Sequence, residues 1–181
     1  MQGNEYLQPD PEVARILEQR ARDLAVAKGV AEGDDHGLDF VEFDIGGEYY
    51  GIELEYIREV YAPSGFTYLP GIPPFVRGII NVRGTIVSVM DLKRFFGLTG
   101  GDTGGRHVII VSSEKMEFGI LADHIVGVRK TPLSALQPPL ATLAGVRAHY
   151  LKGIVDTRIA LLDGHRLLED ENLRIGQKED V

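Results

Sequence analysis

Tyr50-Gly51-Ile52-Glu53-Leu54-Glu55-Tyr56-Ile57-Arg58-Glu59-Val60 returns later in the same chain as Phe118-Gly119-Ile120-Leu121-Ala122-Asp123-His124-Ile125-Val126-Gly127-Val128. Two more pairs follow in the same order. Arg77-Gly78-Ile79-Ile80 reappears as Lys152-Gly153-Ile154-Val155, and Val87-Ser88-Val89-Met90-Asp91 as Ile159-Ala160-Leu161-Leu162-Asp163. Aromatic-Gly-Ile, basic-Gly-Ile and apolar-run-Asp, repeated in order, mark an internal duplication. The first copy occupies about residues 38–97 and the second about 106–168. Whether strands are exchanged between the copies stays open.

Around these motifs the grammar is that of short strands. Phe40, Glu42 and Asp44 interleave with Val41, Phe43 and Ile45 before Gly46-Gly47, a hairpin signal. Tyr49 to Glu53 returns as the second strand, and Leu54 to Ile57 suits a helical turn. Arg83-Gly84 marks a second hairpin between Ile79–Val82 and Ile86–Met90. Asp91 and Asp163 each close an apolar strand and open a short helix, where a carboxylate caps free amides. The expected fold is mainly β, small barrels or a sandwich, with the two halves packed on each other and a short helix after Asp163.

The ends differ from the body. Asp10-Pro11-Glu12 starts an amphipathic helix carrying Val13, Ile16, Leu17, Ala21 and Leu24 at helical spacing. Ile16, Leu17 and Leu24 are its candidate docking residues, toward either the body or a partner. Residues 1–37 form this helical extension and an acidic linker, and 169–181 an acidic tail. The net charge of −8 sits mostly at these ends, because the segment 38–168 holds fourteen acids against thirteen bases. A near-neutral body argues against an oligonucleotide-binding barrel, the main alternative, which needs a concentrated basic face.

No chemistry-bearing constellation emerges. There is no Cys, and the five histidines (36, 107, 124, 149 and 165) form no ligand pair at metal spacing. No nucleophile elbow or phosphate loop is present. No catalytic residue, cofactor or metal is expected. No stretch approaches the ~20 apolar residues of a membrane helix and no signal peptide opens the chain, so a cytoplasmic address is expected.

The copies differ in two places. The first hairpin runs Asn81-Val82-Arg83-Gly84-Thr85-Ile86, where the second copy has only Asp156-Thr157-Arg158. Arg58-Glu59 is matched by Val126-Gly127, so only the first copy carries a charged pair there.

These residues resemble a known family. Phe43-x-Ile45, Tyr50-Gly51-Ile52, Ile57-x-Glu59-Val60 and Pro74-Phe75-Val76-Arg77-Gly78-Ile79-Ile80-Asn81-Val82-Arg83-Gly84 look like the first copy of a CheW-like domain. Phe118-Gly119-Ile120-x-x-Asp123 and Tyr150-Leu151-Lys152-Gly153 resemble its second copy. The resemblance covers about 38–168. It implies two five-stranded SH3-like barrels around a shared core. It implies a free adaptor, at membrane-associated receptor arrays, bridging the cytoplasmic tip of a chemoreceptor (a methyl-accepting chemotaxis protein) to the regulatory domain of a histidine kinase. Leu54, Ile57, Glu59 and Val60 match the family's receptor-groove strand, and Asn81, Arg83 and Gly84 its signature hairpin. The extension 1–37 and Ser88, where Pro is frequent, depart from the pattern. The output, flagellar chemotaxis or surface motility, is left open.

Overall fold

The computed structural model describes residues 37–98, 104–139 and 146–174. The expected helix of Ile16, Leu17 and Leu24 lies outside the described residues. The described chain is mainly β, with two five-stranded sheets. In chain order the strands are β1 (Gly37–Ile45), β2 (Glu48–Glu53), β3 (Ile57–Tyr61), β4 (Val76–Val82) and β5 (Thr85–Met90), then β6 (His107–Ser112), β7 (Glu117–Ala122), β8 (His124–Pro132), β9 (Leu151–Val155) and β10 (Ile159–Leu162). Three short helices follow β5, precede β9 and follow β10: α1 (Leu92–Phe95), α2 (Val146–His149) and α3 (Gly164–Glu169).

Neither sheet is built from one sequence copy. One has the order β8-β1-β2-β10-β9 and the other β3-β6-β7-β5-β4. Each copy therefore gives its first hairpin to one sheet and its last three strands to the other. The two orders superpose under the duplication, and so does the register. Parallel pairing sets Leu161 beside Gly51 and Leu162 beside Ile52 in one sheet, and Val89 beside Gly119 and Met90 beside Ile120 in the other. A bulge recurs at the same place too, at Arg58 against β6 and at Val126 against β1.

The repeated glycines have a spatial reason. A Cβ on Gly78 would stand 2.6 Å from the carbonyl oxygen of Thr67, and one on Gly153 2.5 Å from that of Gln137. Thr67 and Gln137 belong to loops that cross back and hydrogen-bond the outer edge of β4 at Ile79 and of β9 at Ile154. Basic-Gly-Ile is thus the point where a loop backbone lies directly on a strand. Gly51 and Gly119 likewise leave room for Phe40 and Val108.

Exchange produces three apolar cores. The largest lies between the sheets and contains Phe43, Tyr50, Ile52 and Met90 from one copy with Val111, Phe118, Ile120 and Leu162 from the other. A smaller one gathers Ile80, Val87, Val89, Val108 and Ile110, and its counterpart holds Phe40, Val155, Ile159 and Leu161. Strands such as β1 are buried on both faces, which accounts for the near-absence of exposed residues along its centre. Both capping aspartates act as expected: the Asp91 side chain accepts from Arg94 N at 3.2 Å, and that of Asp163 from Arg166 N at 3.0 Å.

Two of the four buried polar positions among the described residues are glutamates of the first copy. Glu42 and Glu53 are each 1% exposed. Glu42 occupies the place that Ile110 fills in the other sheet, and it accepts from Arg129 at 3.1 Å and Arg158 at 3.0 Å. Arg129 also pairs with Asp156, and Arg158 stacks on Tyr49 with its guanidinium carbon 4.4 Å from the ring centre. The hydrogen bond to Glu42 raises the Arg129 pKa despite partial burial.

Candidate functional site

The 3-10 turn Leu54–Tyr56 links β2 to β3 and delivers the chain from one sheet to the other. Tyr56 and Ile57 are partly buried against the shared core, and Leu54 is also partly exposed. The bulge falls on the next residue. Ile57 pairs with Val111 and Glu59 with Ile110, leaving Arg58 without a ladder partner and its side chain re-aimed outward. The Arg58 guanidinium then reaches Glu117 at 2.5 Å and Glu59 at 3.2 Å. The hydrogen bond to Glu117 is the main reason the Arg58 pKa is raised.

The β4–β5 hairpin arrives from the far edge of the same sheet. Its turn places Arg83 at φ 51° and Gly84 at φ 90°, the positive pair of a tight hairpin turn. Asn81 accepts from the Gly84 amide through Oδ1 at 2.8 Å, fixing the tip. Arg83, 74% exposed, then lies 3.4 Å from Glu59. Edge strand β3 and edge hairpin β4–β5 thereby meet, and Glu117–Arg58–Glu59–Arg83 forms one line of alternating charge. An exposed pair of this kind adds little stability; its value lies in holding directional donors in a defined place. The second copy, with Val126, Gly127 and the shorter turn, lacks this line of charge and ties β8 to its hairpin through Arg129 and Asp156 instead.

The structure therefore brings Glu59, Asn81, Arg83 and Gly84 together and sets Leu54 and Ile57 beside them along the chain. Val60, matched by the resemblance to the same groove strand, is not at the surface. It is 6% exposed and packs in the shared core, because it continues β3 past the bulge on the face turned inward. Sequence reasoning missed the exposed apolar neighbours. Ile86, at 60% exposure, lines a groove of about 520 Å³ with Leu69, Ile79, Met116 and Leu173. The available signal was again the duplication: the residue before the second copy's final strand is Arg158, not an aliphatic. Among the described residues there is no cluster of three or more metal-ligating side chains, and no helix is long and apolar enough to cross a membrane.

Comparison with known proteins matches residues 39–172 to the CheW-like domain. The chain is 28% identical over 149 residues to chemotaxis protein CheW of Treponema pallidum, covering 78% of this chain and 88% of that one. It is 30% identical over 143 residues to protein FrzA of Myxococcus xanthus, covering 75% and 88%. Protein PilI of Pseudomonas aeruginosa is 25% identical over 139 residues, with 76% and 78% covered. The crystal structure of the scaffolding protein TtCheW from Thermoanaerobacter tengcongensis superposes with a TM-score of 0.66 at 27% identity, covering 80% of this chain and 96% of that one. With the exchanged sheets, the signature hairpin and these matches in agreement, the chain belongs to the CheW-like domain family.

Proposed function

We propose that this chain is a non-enzymatic signalling adaptor that couples the cytoplasmic tips of chemoreceptors to the regulatory domain of a histidine kinase. The observation that carries the reading is the contact of Arg83 with Glu59 at 3.4 Å beside the Leu54–Ile57 turn, a feature built in one copy only. The second copy joins the corresponding elements through a different pair, Arg129 with Asp156, so the Glu59–Arg83 placement is particular to the first copy.

In this reading an amphipathic receptor helix lays its apolar side on Leu54 and Ile57. Glu59 and Arg83 set its register, and Asn81 and Gly84 shape the hairpin that carries Arg83. Val60 supports the strand from beneath. Signal transfer then requires only that the adaptor hold the kinase differently in the two receptor states. Its place would be the cytoplasmic face of a receptor array.

The test is capture of the full chain on a soluble chemoreceptor signalling fragment from the same genome. Arg83→Glu and Ile57→Asp are each expected to reduce capture at least tenfold with the thermal transition retained. If both bind like the native chain, the groove assignment is wrong. Deleting the gene and scoring swimming against surface spreading decides which output the adaptor serves.

A further inference from the structure

We infer that Glu53 is a positioning residue for the partner-binding turn, locking Leu54–Tyr56 and hence Ile57 onto the opposite copy. This rests on the receptor-groove reading above. Glu53 ends β2 and immediately precedes the turn. Its carboxylate accepts from the backbone amide of Gly164, the first residue of α3, at 2.9 Å through Oε2. The other oxygen takes the Lys152 ammonium from β9. Both partners belong to the second copy. At the far end of the turn, Tyr56 lies against the same Gly164, so closely that a Cβ there would stand 2.3 Å from its ring. The turn is therefore held at both ends on one spot.

The duplication shows that the fold alone does not demand this. The counterparts of Glu53 and Gly164 are Leu121 and Leu92, both buried apolar side chains. Apolar burial is non-directional. A buried carboxylate shared between an amide and an ammonium holds its neighbours in one orientation, and leaving it unpaired is costly. Charge at this node fixes how the turn is presented, and a pre-set anchor binds without first being ordered.

The experiment measures affinity of the full chain for the soluble chemoreceptor signalling fragment by calorimetry, alongside the melting temperature of each variant. Glu42→Gln is the control, because Glu42 is equally buried in the same sheet but its hydrogen bonds go to Arg129 and Arg158 rather than to the elements that hold the turn. Glu53→Gln is expected to weaken binding at least fivefold and to speed amide exchange at Tyr56 and Ile57. Glu42→Gln should lower the melting temperature comparably yet bind within twofold of native. Lys152→Met, at a side chain one-third exposed, provides a second variant that removes one arm of the node; its expected loss is smaller but in the same direction. Native affinity in both Glu53→Gln and Lys152→Met, with Ile57→Asp still abolishing binding, overturns the proposal alone. Equal weakening in Glu42→Gln also overturns it, since binding would then follow stability. Native binding by Ile57→Asp instead sinks the groove reading, and this proposal with it.

Discussion

Replacing Glu42 by isoleucine should disturb this protein less than replacing it by the near-isosteric glutamine. The side chain is 1% exposed and accepts from two guanidinium groups, at 3.1 and 3.0 Å. Glutamine keeps the shape but has a single acceptor oxygen, so its amide group faces one of the arginines. Losing one charge-assisted bond and leaving a buried donor unmatched costs about 2–3 kcal/mol. Isoleucine removes both bonds and the buried charge together. The arginines are not stranded, because their side chains are 36% and 52% exposed; Arg129 keeps Asp156 and Arg158 keeps its stack on Tyr49. Exchanging a buried ionic group for a hydrophobe of similar volume is often nearly neutral, and Ile110 already fills the equivalent place in the other sheet. A cost of about 1 kcal/mol or less is expected, from imperfect packing. At roughly 2–4 °C per kcal/mol for a domain of this size, Glu42→Gln should lower the melting temperature by about 4–12 °C. Glu42→Ile should lower it by about 4 °C at most. Urea denaturation with unchanged slope checks that both variants remain comparably compact. If isoleucine costs as much as glutamine, the carboxylate is a net stabiliser and the equivalence with Ile110 has been misread.

Two further outcomes follow from the geometry. Gly153→Ala places a methyl group 2.5 Å from the Gln137 carbonyl oxygen, so it should break the bridge to Ile154 and cost about 1–3 kcal/mol, read as a lower urea midpoint; an unchanged midpoint would show that the crossing loop yields freely. Asp170 should act as an acid-sensitive tether for the C-terminal turn. Burial alone would raise its pKa, but hydrogen bonds from the Tyr150 hydroxyl and from Asn172 bring it below the ordinary carboxylate range. Its stabilisation is thus complete above the unfolded value of about 3.9 and is lost as pH falls through the lower folded value. The chain contains no Trp and seven Tyr, so tyrosine emission follows the titration without indole background, and the part of the step due to this tether is the part that Asp170→Asn should abolish.

The duplication, the hairpin turns, the glycine positions and the two capping aspartates were all legible in the chain. Each depends on contacts that recur locally, or on a backbone demand that one residue type meets. The hairpin of Asn81, Arg83 and Gly84 was legible for the same reason: a tight turn with an Asn three residues before the Gly declares itself. Val60 was not. Alternation assigns it to one face of β3, but the bulge at Arg58 and the second sheet decide that both faces of the strand's end are covered. Glu42 and Glu53 were illegible in the same way. A glutamate between apolar residues reads as one side of a half-exposed strand, and only the partners that arrive from distant segments make burial tolerable. Those partners are Arg129 and Arg158 for one, Lys152 and Gly164 for the other.

By itself the sequence determined that the chain is two copies of one five-strand pattern, and that the copies differ at Arg58-Glu59 and at the Asn81–Ile86 hairpin. Tertiary structure alone decided that each sheet mixes strands from both copies. Strand pattern is a local property, set by alternation and turns. Choice of sheet partner is not, because either copy's hairpin presents the same edge and the same register to either set of three strands. Exchange is settled by what the whole molecule buries, one shared core between the sheets and a smaller one within each. It also sets the Leu54–Ile57 turn against the other copy, where Glu53 finds Gly164 and Lys152.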